Sequence, residues 1–99
     1  MEPGIKVQVK FFGDFGVIAK KSADEAQLPQ SATVFCLLEE LAGTYGKSFR
    51  DELFKETGGL RDDVMVTVNG AIVAHESVSE IDLAPDDVVA LFPIFPGGG

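Results

Sequence analysis

The chain has 99 residues, 45% hydrophobic and 9% aromatic, with eight Phe and no Trp. That is one domain with material for one core, which excludes intrinsic disorder. The formal charge of −8, from 16 acids against 8 bases, argues against nucleic acid as a partner, because phosphate contacts need cations.

Ile5 to Phe12 alternates apolar and polar residues and predicts a half-buried strand. Gly13, Asp14 and Gly16 read as breakers after it, with Phe15, Val17 and Ile18 between them to cap the core. Ala23 to Leu28 predicts the partner strand of a hairpin, against the poor strand propensity of Ala, Asp and Glu. Pro29 to Thr33 is a turn into a helix, with Thr33 or Ser31 as the N-cap hydroxyl. Val34, Leu37, Leu38, Leu41, Ala42 and Tyr45 recur along one helical face, and Gly43 and Gly46 mark its fraying end.

Lys47 to Glu56 is short and amphipathic and predicts one or two further helical turns, with Phe49, Leu53 and Phe54 as its apolar side, and Thr57-Gly58-Gly59 ends it. Val64 to Val68 is the clearest strand. Asn69-Gly70 then signals a two-residue hairpin turn, with Ala71 to Ala74 returning. Residues 75–87 form a polar connection anchored by Val78, Ile81 and Leu83. Val88 to Phe92 is apolar on both faces and reads as a buried strand that Pro93 ends.

The two most apolar strands are the first and the last. They are best buried side by side in a mixed sheet of about five strands, with one main helix across a face. That is an α+β, β-grasp (ubiquitin-like) arrangement. It occupies residues 1–93, with 94–99 as a flexible tail.

The tail closes on Pro96-Gly97-Gly98-Gly99. A terminal glycine has no Cβ, so its carboxylate fits a channel too narrow for other residues. The competing reading of such an end is a frayed tail without chemistry. Pro93 through Gly99, if extended, spans roughly 20 Å at about 3.3 Å per residue, enough to enter another protein's pocket.

Cys36 is the only cysteine. It allows no intramolecular disulfide and no cysteine-based metal or iron–sulfur site, which excludes a ferredoxin. Met1 to Lys6 lacks the pattern of a signal peptide, and no apolar run approaches a membrane span. A cytoplasmic protein is expected.

Over nearly its whole length the chain resembles the sulfur-carrier family that contains the molybdopterin-synthase small subunit (MoaD) and the thiamine-pathway carrier ThiS. The matching pieces are Val7 to Gly13, Leu28-Pro29, Ala32-Thr33-Val34, Leu37 to Leu41, Val66 to Gly70, Asp86 to Pro93, and the closing glycines. The resemblance implies a carrier, not an enzyme, that becomes part of a synthase with a large catalytic subunit. A ubiquitin-activating-type adenylyltransferase (MoeB/ThiF-like) joins AMP to the last carboxylate. A sulfurtransferase then replaces AMP with sulfur to give a thiocarboxylate. In the molybdenum (or tungsten) pathway this group delivers sulfur to a pterin precursor on the molybdopterin-synthase large subunit. No bound cofactor or metal is implied; the partner uses ATP.

The site residues implied are Gly99, carrying the adenylate and thiocarboxylate, and Gly98. Phe92, Pro93, Ile94, Phe95 and Gly97 are partner-binding. Family tails commonly read Phe-Pro-Pro-Val-x-Gly-Gly; here Ile94-Phe95-Pro96 and a third glycine depart from that, so Gly98 becomes the end if the chain is trimmed. Phe92 is equally readable as core, whereas Phe95, beyond Pro93, reads as docking surface.

Other candidates have plainer readings. Cys36 lies opposite the apolar stripe of its helix, and a persulfide role is not required of it. His75 has no acid, base or metal partner in sequence and reads as surface. Glu39-Glu40, Asp62-Asp63, Asp82, Asp86 and Asp87 read as solvated acids, with basic partner residues as the alternative. A ubiquitin-like modifier conjugated to lysines needs the same activated end, so the sequence does not separate it from a sulfur carrier. A thiamine-pathway carrier is disfavoured by the 47–62 segment, and a passive adaptor is the remaining alternative.

Overall fold

A computed structural model describes residues 4–94. The elements in chain order are β1 (Ile5–Phe11), α1 (Asp14–Ala19), β2 (Ala23–Leu28), α2 (Val34–Tyr45), α3 (Lys47–Leu53), β3 (Val64–Val68), β4 (Ala71–Val73), a 3-10 turn (His75–Ser77) and β5 (Val88–Pro93). One mixed sheet has the order β2-β1-β5-β3-β4. β1 and β5 run parallel with Gln8 opposite Val88 and Phe11 opposite Leu91. The other pairs are antiparallel.

Alternation decides which side of the sheet is covered. Ile5, Val7, Val9 and Phe11 face the helices with Val89, Leu91, Val64 and Val66, and all are buried. Each such side chain contributes about 1.5–3 kcal/mol by leaving water. α2 covers this face with Val34, Leu37, Leu38, Leu41 and Ala42. Thr33 caps it: its hydroxyl accepts the Cys36 N–H at 3.2 Å.

Gly46, at φ 94°, turns the chain from α2 into α3. Phe49 from α3 then meets Phe11 at 5.7 Å, Phe15 at 5.5 Å and Tyr45 at 5.2 Å between ring centroids. This aromatic cluster closes the end of the sheet at which β1 and β5 finish. At β3–β4, Asn69 (φ 52°) and Gly70 (φ 89°) form the expected two-residue turn. The Asn69 carboxamide accepts the Val88 N–H at 2.9 Å and donates to Asp87 at 2.9 Å, tying the turn to the start of β5.

Two expectations change. The stretch after Gly13 is a helix, α1, not a broken loop. Phe15 and Ala19, one turn apart, are both buried in it, and the contact with Phe49 outweighs the low propensity of Gly16. α3 has the two turns expected within Lys47–Glu56, and it ends at Leu53 because Phe54 leaves the helix to bridge Leu60. β5 is buried on both faces only in its middle, Val89 to Leu91: Val88 and Phe92 are half-buried on the side of the sheet away from the helices.

Candidate functional site

β5 is the central strand, so its end lies between the ends of β1 and β3, and both neighbours hold it. On the β1 side, the Phe12 N–H donates to the Leu91 carbonyl at 3.1 Å. Pro93 brings no N–H to continue that ladder. Its ring instead rests on Gly13, where a Cβ would lie 2.5 Å from Pro93 Cγ and 3.1 Å from Cδ. Gly13 also has φ 60° and ψ −134°, a conformation that side-chain-bearing residues avoid. On the β3 side, the Ile94 N–H donates to the Asp63 carbonyl at 2.8 Å.

The face away from the helices is apolar at this rim. Phe12 stacks on Phe92, with centroids 4.4 Å apart and planes 8° from parallel. Met65 sits opposite Phe92 in the β3–β5 register. Phe12 and Ile94 are each 42% exposed, so the rim leaves apolar surface open beside the Phe12–Phe92 stack. Ile72 extends the exposed apolar surface on β4, while Lys6 and Lys10 border it on β1.

Asp63 is fixed by Arg61, whose Nε and Nη2 reach its two carboxylate oxygens at 3.0 and 3.1 Å. The Arg61 hydrogen bond holds the Asp63 carboxyl below the usual range. Arg61 also donates to the Asp51 carbonyl from its side chain and to the Leu53 carbonyl from its backbone, pinning this loop to α3. An open cleft of about 370 Å³ beside it is lined by Lys55, Arg61, Asp62 and Asp63. Lys55 pairs with Asp62 at 3.3 Å, so both cations of the cleft already face acids.

Of the residues singled out from sequence, Phe92, Pro93 and Ile94 come together at this rim. Phe95, Gly97, Gly98 and Gly99 lie outside the described residues. Phe12, Gly13 and Met65 are additions. Phe12 was legible, since it falls in the outward phase of the strand whose inward residues are Val7, Val9 and Phe11.

Cys36 is exposed, and hydrogen bonds with Thr33 lower its thiol pKa. It sits in the first turn of α2, with Thr33 as its hydrogen-bond partner. His75 is half-buried. Its Nε2 lies 2.6 Å from the Val64 carbonyl and donates to it where the β4 ladder has ended. Glu39 pairs with Arg50 at 3.1 Å, and Asp87 accepts from the Ala84 N–H at 2.8 Å; these acids serve the fold. Among the described residues, no group of three His, Cys, Asp or Glu is placed to hold a metal ion, and no helix is long and apolar enough to cross a membrane.

The parallel pair at the sheet centre, the helix across one face and a chain end leaving from the middle strand define a ubiquitin-like β-grasp protein. The profile of the ThiS family matches residues 9–98. The chain belongs to the ThiS family, a group of small ubiquitin-like sulfur carriers and modifiers. No curated protein gives a significant sequence match.

Three solved structures are similar to it. Small archaeal modifier protein 1 of Haloferax volcanii is 27% identical, covering 93% of this chain and 100% of that one, with a TM-score of 0.83. The putative molybdopterin converting factor, subunit 1, from Pyrococcus furiosus is 34% identical, covering 92% and 99%, with a TM-score of 0.74. The BexX/CysO complex of Amycolatopsis orientalis contains a chain 22% identical, covering 93% and 99%, with a TM-score of 0.74; this likeness is one of fold.

Proposed function

We propose that the chain is a sulfur carrier for molybdopterin (molybdenum or tungsten cofactor) synthesis, working through the carboxylate of Gly99. The observation that carries this reading is the placement of the last strand. β5 runs out at an apolar rim of Phe12, Phe92 and Ile94, directly before the glycine run. The likeness to the molybdopterin converting factor subunit of Pyrococcus furiosus supports the molybdenum assignment.

The chemistry follows from the carboxylate. At a pKa of about 3.5 it is ionised at neutral pH and acylates poorly. Its oxygen attacks the α-phosphorus of ATP on a MoeB/ThiF-like adenylyltransferase, pyrophosphate leaves, and the acyl carbon gains AMP as a leaving group. Cations of the partner offset the phosphate charge. A persulfide on a sulfurtransferase then attacks the acyl carbon, AMP leaves, and a second thiol of that partner cleaves the resulting acyl disulfide; the partner gains a disulfide and the chain keeps an ionised thiocarboxylate whose soft sulfur is the nucleophile at the next partner. Phe12, Phe92, Ile94 and Phe95 dock the body, Pro93 sets the start of the tail, and Gly97, Gly98 and Gly99 keep its end narrow.

The test is transfer. The thiocarboxylated chain, mixed with a molybdopterin-synthase large subunit and the cyclic pyranopterin precursor, is expected to yield molybdopterin. A thiocarboxylate that forms but never converts the precursor sinks the molybdenum assignment. A second reading, conjugation to lysines, is favoured by the likeness to small archaeal modifier protein 1. Glycine remnants on lysines of other proteins, found by mass spectrometry, would establish it.

A further inference from the structure

Resting on the carrier reading above, we propose that Gly13 is a positioning residue: its missing side chain sets where the Pro93 ring rests, and so the direction in which the chain leaves the sheet toward its working end. Three observations converge. A Cβ on Gly13 would lie 2.5 Å from Pro93 Cγ, about 1 Å inside van der Waals contact. Pro93 has no N–H, so this contact replaces the ladder bond that would otherwise hold the end of β5 to β1. On the other side the Ile94 N–H is tied to Asp63, whose carboxylate Arg61 grips with two hydrogen bonds.

The end of β5 is thus held between a fixed bond and a packed ring. Displacing the ring pivots the chain about the Ile94–Asp63 bond. The stacked Phe12–Phe92 pair of the docking rim lies before the pivot and Ile94 lies at it, so these residues keep their place while the chain beyond them turns. The consequence is specific. Docking of the body survives a change at Gly13, while the reacting carboxylate arrives off line. A displacement of about 1 Å at a reacting group costs up to about a hundredfold in rate.

The test is a cycle of four proteins: the natural chain, Gly13→Ala, Pro93→Ala and the double variant. Each is assayed with a ubiquitin-activating-type adenylyltransferase and ATP by pyrophosphate release. If the natural chain forms no adenylate, the carrier reading fails before Gly13 is in question. If it does, Gly13→Ala is expected to lower kcat about tenfold or more with KM within about twofold.

In the Pro93→Ala background the same substitution should change kcat less than about twofold, because the ring is gone. The backbone strain of Ala at φ 60° remains in both backgrounds, so a purely structural role predicts equal losses. Equal losses, an unchanged kcat, or a rise in KM alone that follows the unfolded fraction seen by circular dichroism would overturn the proposal. Should Gly13→Ala not fold, Pro93→Ala carries the test by itself. It removes the ring contact without strain and is expected to lower kcat about threefold, whatever the change in KM that the partner-binding place of Pro93 brings; an unchanged kcat overturns the proposal.

Discussion

The rings of Phe12 and Phe92 lie face to face on the open side of the sheet, 4.4 Å apart, at the end where the chain departs. Phe12 is 42% exposed, so the pair does little to fill the core and leaves an apolar surface at the root of the glycine run. Phe12→Lys keeps the stem of the side chain over Phe92 and puts a charge on the rim. The expected loss of stability is about 1 kcal/mol, from the lost ring pair. The expected loss in kcat/KM for adenylation is about tenfold, carried by KM, because uniform binding is what a docking surface supplies. Unchanged steady-state kinetics would remove the rim from the docking surface.

Tyr45 donates a hydrogen bond to the Asp24 carboxylate, joining the end of α2 to β2. Tyr45→Phe is expected to cost roughly 1–2 kcal/mol by urea unfolding, since the acceptor is charged. The pH dependence has two signs. This hydroxyl, and then the Glu25 N–H, lower the Asp24 pKa from 3.8, so that contribution is present above about pH 4 and fades as pH falls through the folded value. Burial, and then Asp24, push Tyr45 from 10 to about 12. Its contribution is therefore complete below pH 10 and is lost as pH rises toward about 12. The natural chain and Tyr45→Phe should converge in stability at both extremes and differ most between them; a constant difference across pH contradicts this linkage.

Phe15 carries α1. Phe15→Ala is expected to cost about 3–5 kcal/mol in urea unfolding, by emptying a fully buried site against Phe49. The amides of α1 should lose exchange protection first. Retained protection there would mean that the helix does not depend on this contact.

Much of this was legible in the residues. The period of two in β1, the helical stripe from Val34 to Tyr45, the Thr33 cap and the Asn69-Gly70 turn are local signals, and each element they predict is present. α1 was not legible, because Gly13 and Gly16 are breakers by propensity and the reason for the helix is Phe15 meeting Phe49, which lies 34 residues on. The Gly13–Pro93 contact is likewise invisible until β1 and β5 are laid side by side. His75 looked unpartnered in sequence, since its partner is a backbone carbonyl of another strand.

That bond is testable alone. His75→Ala leaves the Val64 carbonyl without its donor at the end of the β3–β4 ladder. The expected cost is about 1–2 kcal/mol, with faster amide exchange along β4. A change smaller than about 0.5 kcal/mol would mean that water replaces the imidazole.

In the proposed function the glycine carboxylate is the working group and the folded body its handle. Intact mass after incubation with a MoeB/ThiF-like activating enzyme, ATP and a sulfur source tests it most directly. The expected result is a gain of about 16 mass units, sulfur for oxygen, lost when the final glycine is amidated. An unchanged mass under conditions that thiocarboxylate a known carrier, or the same gain in the amidated chain, would contradict it.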